Sequence, residues 1–202
     1  MADESRRVAK LDLVGGNVGL DFANTVTTRT DYLGTYEDLA LWAQRAKILS
    51  SKARRSLVER ASRNQKGADR AVRRALRLRD AIHGTFTAIA GGELPAATDA
   101  ARVLRSYGAA MARAQLEGDP ARPSLHWSVA STLGGVLDPI AYAAGDLLLA
   151  PERPAVKVCP GCPWLFVDRS RNSSRRWCDM KTCGSRDKMR RYYRSRRSTG
   201  DP

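Results

Sequence analysis

All four cysteines of this 202-residue chain fall within 25 residues, as a C-x2-C pair (Cys159, Cys162) and a C-x4-C pair (Cys178, Cys183) separated by fifteen residues. Such a concentration builds one local object, either a disulfide staple or a metal site. Disulfides need an oxidising compartment. The opening string MADESRRVAK lacks the apolar stretch of a secretion signal, so the thiols are expected to stay reduced. Four thiolates then close a tetrahedral shell around one Zn2+, a structural arrangement because no coordination position stays open. An iron–sulfur centre or a redox pair is the alternative for the same residues.

The residues around the ligands fit a small metal-organised unit. Trp164, Phe166 and Val167 form an apolar run typical of a short strand, residues 168–174 read as a turn, and Trp177 is placed to cap a small core. So little apolar area cannot fold a unit alone, and metal binding supplies about 10–16 kcal/mol in comparable zinc peptides. A proline-free helix is predicted over 184–197. Arg186, Arg190, Arg194 and Arg197 recur along one of its faces, with Met189 and Tyr193 on another, expected to pack back on the finger. From Pro151 on, 14 Lys/Arg face 5 Asp/Glu, net +9, within a chain of net +14 and pI near 10.3. A solvated basic face is the bland reading; with so few acids, a polyphosphate partner is the better one.

The string C-P-G-C-P-W-L-F-V-D-R-S, followed by R-R-W-C-D-M-K-T-C-G-S-R-D-K, resembles the CGNR zinc finger of bacterial regulators. The resemblance implies that Cys159, Cys162, Cys178 and Cys183 hold the zinc. Two positions depart from the pattern: Ser185 stands where the family has asparagine, and Pro163 where glycine is expected. Proline has no N–H to offer a thiolate and resists positive φ; serine can still cap a helix. Near the other end, G-x-x-G-L-D-F-A-N-T-V (from Gly16) and D-P-I-A-Y-A-A-G-D-L-L (from Asp138) resemble the ABATE domain, the usual N-terminal partner of such fingers. The expected organisation is mainly α: an ABATE-like helical domain over 1–150, then a finger of short β-hairpin plus helix over 155–198.

In chain order, residues 1–12 are polar and expected to be disordered, and glycines allow a tight turn before a short helix from about Leu20. Thr35 with Asp38 predicts a capped helix carrying Tyr36, Leu39, Ala43, Ala46 and Leu49; Ser50 or Ser51 starts another to about Asn64. A longer helix bears Val72, Ala75, Leu76, Ile82, Phe86 and Ile89 and stops at Gly91-Gly92; the next begins at Pro95. Residues 118–123 read as a linker. The last stripe, Val129 to Leu148, is expected to be kinked at Asp138-Pro139, with Pro151 and Pro154 as a stiff hinge into the finger.

Between Lys52 and Arg79 lie 11 Lys/Arg and 2 Asp/Glu, net +9. Arg70, Arg73, Arg74 and Arg77 share a face, expected opposite the Val72/Leu76 side, that reads as either a solubilising surface or a second phosphate-contacting patch. His83 and His126 lie in structural contexts with no nucleophile or Walker motif nearby, so no enzyme is expected. The expected protein is a DNA-binding transcription regulator. Arg186, Lys188, Arg190, Arg191, Arg194 and Arg197 would contact double-stranded DNA, and Arg175 and Arg176 would reach flanking phosphates. The alternatives are an RNA- or ribosome-associated zinc protein, and a ligand or redox sensor whose finger contacts proteins. The helical domain would serve dimerisation, sensing of a small-molecule effector, or both, with Asp21, Asn24, Arg29, Trp127 and Tyr142 as a possible pocket. With no apolar run long enough to span a membrane, the expected location is the cytoplasm, at the nucleoid.

Overall fold

A computed structural model describes residues 8–27 and 30–198, with side chains to residue 196. Arg29 and the side chain of Arg197 therefore lie outside the described residues. The helices are α1 (Val18–Ala23), α2 (Tyr36–Arg45), α3 (Ser51–Arg63), α4 (Gln65–Ala90), α5 (Ala97–Met111), α6 (Leu137–Leu149) and α7 (Ser185–Ser198). Two antiparallel hairpins interrupt them, β1 (Gln115–Asp119) with β2 (Arg122–His126), and β3 (Ala155–Val158) with β4 (Leu165–Asp168). The mainly-α body followed by hairpin and helix agrees with the sequence reading.

Local chemistry sets the helix starts. Thr35 and Asp38 form a full capping box at α2: Thr35 Oγ1 accepts from the Asp38 N–H, and Asp38 accepts from the Thr35 N–H. Ser50 caps α3 through the Ala53 N–H, and Asn64 caps α4 through the Gly67 N–H. Asn17 caps α1 and reaches across to the Ala143 carbonyl on α6. There a Cβ on Gly19 would lie 2.8 Å from Ala144 Cβ, so glycine is what lets α1 and α6 touch. Phe22 of α1 packs on Trp42 of α2, centroids 4.9 Å apart, at the centre of the core.

Several expectations need correction. Val8 and Leu11 are buried in the main core, so residues 8–12 are not a loose tail; two apolar side chains suffice to anchor them. Residues 118–123 are the turn region of the β1–β2 hairpin rather than a linker. Pro139 lies in the first turn of α6, where a missing N–H is harmless, and the segment from Val129 to Val136 is turns; no kinked helix forms. The buried stripe of α4 is Ala68, Ala71, Ala75, Leu78, Ile82 and Phe86. At 100° per residue the centre of this stripe lies roughly 135° from that of the four arginines, on the Ala75 and Ile82 side of the helix, with Val72 and Leu76 at its flank. Arg79 is itself buried, bonded to Asp31 (2.6 Å) and Asp80 (2.9 Å). Burial works against its charge, and the two carboxylates outweigh burial.

The stiff hinge expected at Pro151 and Pro154 leads straight into packing shared with the helices. Val156, Leu165 and Val167 of the β3–β4 hairpin belong to the same core as the helices. Leu165 and Val167 form the outer edge of β4, and residues near the N-terminus cover it. Asn24 donates Nδ2–H to the Leu165 carbonyl and accepts the Leu165 N–H, both at 2.8 Å. The Val167 N–H bonds to the Gly15 carbonyl at 2.8 Å. An otherwise exposed strand edge is thereby closed by one carboxamide and one peptide group.

Candidate metal centre

The four cysteines come from three places. Cys159 and Cys162 flank the turn between β3 and β4, Cys178 follows the strap after β4, and Cys183 lies in a five-residue π-type turn, Met180–Gly184, that leads into α7. The strap is fixed by Asp168, which is buried at the end of β4. Its carboxylate accepts from Lys157 Nζ (2.7 Å), from the Ser170 N–H and hydroxyl, and from the Arg175 N–H. Burial alone would raise the Asp168 pKa; these donors more than reverse it and hold it well below the usual carboxylate range. Lys157 also donates to the Ser173 and Arg175 carbonyls. Neither Lys157 nor Asp168 stood out in the sequence, although D-R-S followed by a second serine is a local turn signature that marks the aspartate.

The thiols converge. Their sulfurs all lie within 4.8 Å of one another, with Cys162–Cys178 at 3.4 Å and Cys178–Cys183 at 3.7 Å. A tetrahedral shell with Zn–S near 2.3 Å has sulfurs about 3.8 Å apart. The cysteines are free thiols, three buried and Cys162 half-buried. Thiols this close compete for one negative charge. Hydrogen bonding from Cys178 draws Cys162 down to about 5. Its bond to Cys162, with burial, drives Cys178 far up, and burial pushes Cys183 to about 11. A divalent cation is what allows all four to serve as thiolates. The donor set therefore fits one structural zinc, held by Cys159, Cys162, Cys178 and Cys183.

The surroundings are equally specific. Phe166, Trp177 and the buried cysteines make a small second core, with Arg176 over the Trp177 ring at 4.9 Å. Arg186 places Nη2 3.7 Å from Cys183 Sγ, so one arginine predicted for DNA lies against a metal ligand. Arg175 is likewise turned inward: its guanidinium bonds to the Trp177 and Cys178 carbonyls and stacks 4.8 Å over Phe166. A structural role replaces the flanking-phosphate contact expected of it. Ser185 is not the helix cap. Asp179 caps the π-type turn through the Thr182 N–H, and Ser185 Oγ, already in helical geometry, donates to the Met180 carbonyl. Pro163, directly after Cys162, has no N–H to offer that thiolate.

Beyond the metal, α7 projects outward. Lys188, Arg190, Arg191 and Arg194 are exposed, Arg191 pairing with Asp187 at 3.0 Å. Met189 (50% exposed) and Tyr193 (57%) also face solvent, contrary to the expected packing on the finger, because the metal and Trp177 already fill its small interior. The described members of the suggested pocket, all but Arg29, each have a local partner. Asp21 and Asn24 serve the hairpin junction, Asp21 by accepting the Gly15 N–H at 2.7 Å. Trp127 donates to the Ala110 carbonyl and packs at a tilt against Tyr142, which stacks with Tyr107 on α5. His83 lies 3.5 Å from the Thr87 hydroxyl and His126 pairs with Glu117 across the β1–β2 hairpin, so each has a local partner.

A four-thiolate centre leading into a basic helix, docked on a helical body, defines a zinc-finger protein. The chain belongs to the ABATE family, described as "Putative stress-induced transcription regulator", whose model matches residues 16–151; the CGNR zinc finger matches residues 156–197. Neither is an enzyme family. No curated protein matches the chain. Among the described residues, no helix is long and apolar enough to cross a membrane.

Proposed function

We propose that this protein is a DNA-binding transcription regulator of the cytoplasm and nucleoid, in which the finger (155–198) reads DNA and the helical body (1–150) supports sensing, dimerisation or both. The observation that carries the reading is the exposed basic face of α7, anchored at its start by the ligand Cys183. Zinc fixes the direction in which the helix leaves the core, and Lys188, Arg190, Arg191 and Arg194 follow one another along its open surface. Arg176 adds a positive group at the base. With Arg175 bonded inside the finger, fewer cations remain for phosphate than the raw count implies, while Arg186 stays exposed beside Cys183. So small a footprint suits two half-sites, hence a homodimer.

The test is binding of the zinc-loaded protein to its own upstream DNA and to scrambled duplex at about 150 mM salt, before and after chelation. Sequence-preferring binding that disappears with the metal is the expected result; equal weak binding unaffected by chelation would sink it. Arg190→Ala is expected to weaken binding to all duplexes alike and to flatten the salt slope by about one unit. Tyr192 and Tyr193, half-exposed between the arginines, favour a second reading in which the same face stacks on single-stranded RNA. Competition between duplex DNA and single-stranded RNA at matched salt separates the two.

A further inference from the structure

The other basic region forms a groove of about 680 Å3 between α3, the first half of α4 and the 129–136 loop. Arg60, Arg70, Arg73, Arg74 and Arg77 line it, with no carboxylate among its lining residues. The walls are fixed. Arg60 donates to the Ala130 and Ser131 carbonyls (2.8 and 3.0 Å), and Tyr36 donates its hydroxyl to the Leu133 carbonyl (3.0 Å). None of Arg70, Arg73, Arg74 or Arg77 has a carboxylate within ion-pair reach among the described residues. A smaller cleft of about 260 Å3 adjoins it, sharing Arg74 and Arg77 and adding Arg102; its one acid, Asp138, is already held by both prongs of Arg113.

Four unpaired guanidiniums facing one concavity need more negative charge than a carboxylate carries, and their forked donors match phosphate oxygens. The volume lies in the range of small-molecule sites, about 300–1,000 Å3. The groove is also remote from the finger. The β3 strand meets α4 near Thr87 and Ala90, and Arg74 lies sixteen residues before Ala90, about 24 Å along the helix. A walled recess at that distance suits a compact ligand better than the duplex that α7 would engage.

We propose that this groove binds a small molecule carrying two or more phosphates, such as a free polyphosphate or a nucleotide. The inference goes beyond the DNA reading and does not depend on it. Ala71 and Leu133 give the groove an apolar side against which a base could lie, which distinguishes the two sources. The experiment is calorimetric titration of the full zinc-loaded chain with inorganic pyrophosphate and with ATP at about 150 mM salt. It is repeated on Arg74→Gln/Arg77→Gln, on the finger variant Arg190→Gln and on the surface control Arg122→Gln, with zinc content and helicity confirming that each folds. One-to-one binding, weakened about tenfold or more only in the double variant, is expected. Tighter ATP than pyrophosphate would identify a nucleotide site, and equal affinity a bare polyphosphate site. The proposal is overturned if neither probe binds at millimolar concentration, or if the double variant and Arg190→Gln weaken binding equally. It is also overturned if the double variant impairs only duplex DNA binding, which would make the groove a DNA contact.

Discussion

The two halves of the finger are held by different physics. The β3–β4 hairpin buries Val156, Leu165 and Val167 in the main hydrophobic core and has its open edge closed by Asn24 and Gly15. The half from the strap to α7 contributes Trp177, Cys178 and Cys183 to a small core shared with Phe166 of β4, and ends in a helix whose apolar residues face water. The first half is an extension of the helical body. The second exists where the metal puts it. A small domain can thus be stable at one end through borrowed core and at the other through ligation, and each support can be removed separately.

The largest expected effect is that of Cys178→Ser. Losing one of four thiolates should abolish stoichiometric zinc binding, forfeiting a contribution of about 10–16 kcal/mol in comparable sites. Hydrogen exchange should then show residues 175–198 unprotected while the Leu165 and Val167 amides stay slow. Simultaneous loss of both would break the comparison. Next comes Asn24→Ala, which strands a buried N–H and a buried carbonyl of Leu165. It should cost about 3 kcal/mol in denaturant unfolding, with faster exchange at Leu165 and unchanged zinc stoichiometry.

Asp21 should show an effect of opposite sign. Burial raises its pKa from 3.8 to about 6, against the bond from the Gly15 N–H. The folded state thus binds the proton more tightly than the unfolded state. The resulting stabilisation is complete below about pH 4 and is lost as pH rises through about 6. Asp21→Asn, which keeps an acceptor for Gly15, should add about 2 kcal/mol at pH 7, and its advantage should shrink toward pH 5. A constant difference across that range would remove burial as the cause. Pro163→Gly is the smallest change. Supplying the N–H that proline lacks beside the Cys162 thiolate should strengthen zinc retention about fivefold in chelator competition, about 1 kcal/mol, with hairpin exchange unaltered.

Cysteine spacing, the capping box at Thr35 and Asp38, the Ser50 start of α3, the stop after Ala90 and the hairpin-plus-helix order of the finger were legible in the sequence. Each is set within a few residues, by ligand geometry, a reciprocal hydrogen bond or a change in period. The sequence alone also determined the charge of both basic regions. Only the tertiary structure decided what the charges do: Arg79 is neutralised in the core, Arg175 and Arg186 brace the metal centre, and Arg70, Arg73, Arg74 and Arg77 open onto a groove. The same holds for Asn24, whose partner Leu165 is 141 residues away. No local pattern encodes such a pairing, because the backbone groups it satisfies are exposed only once the hairpin has formed and been brought against α1.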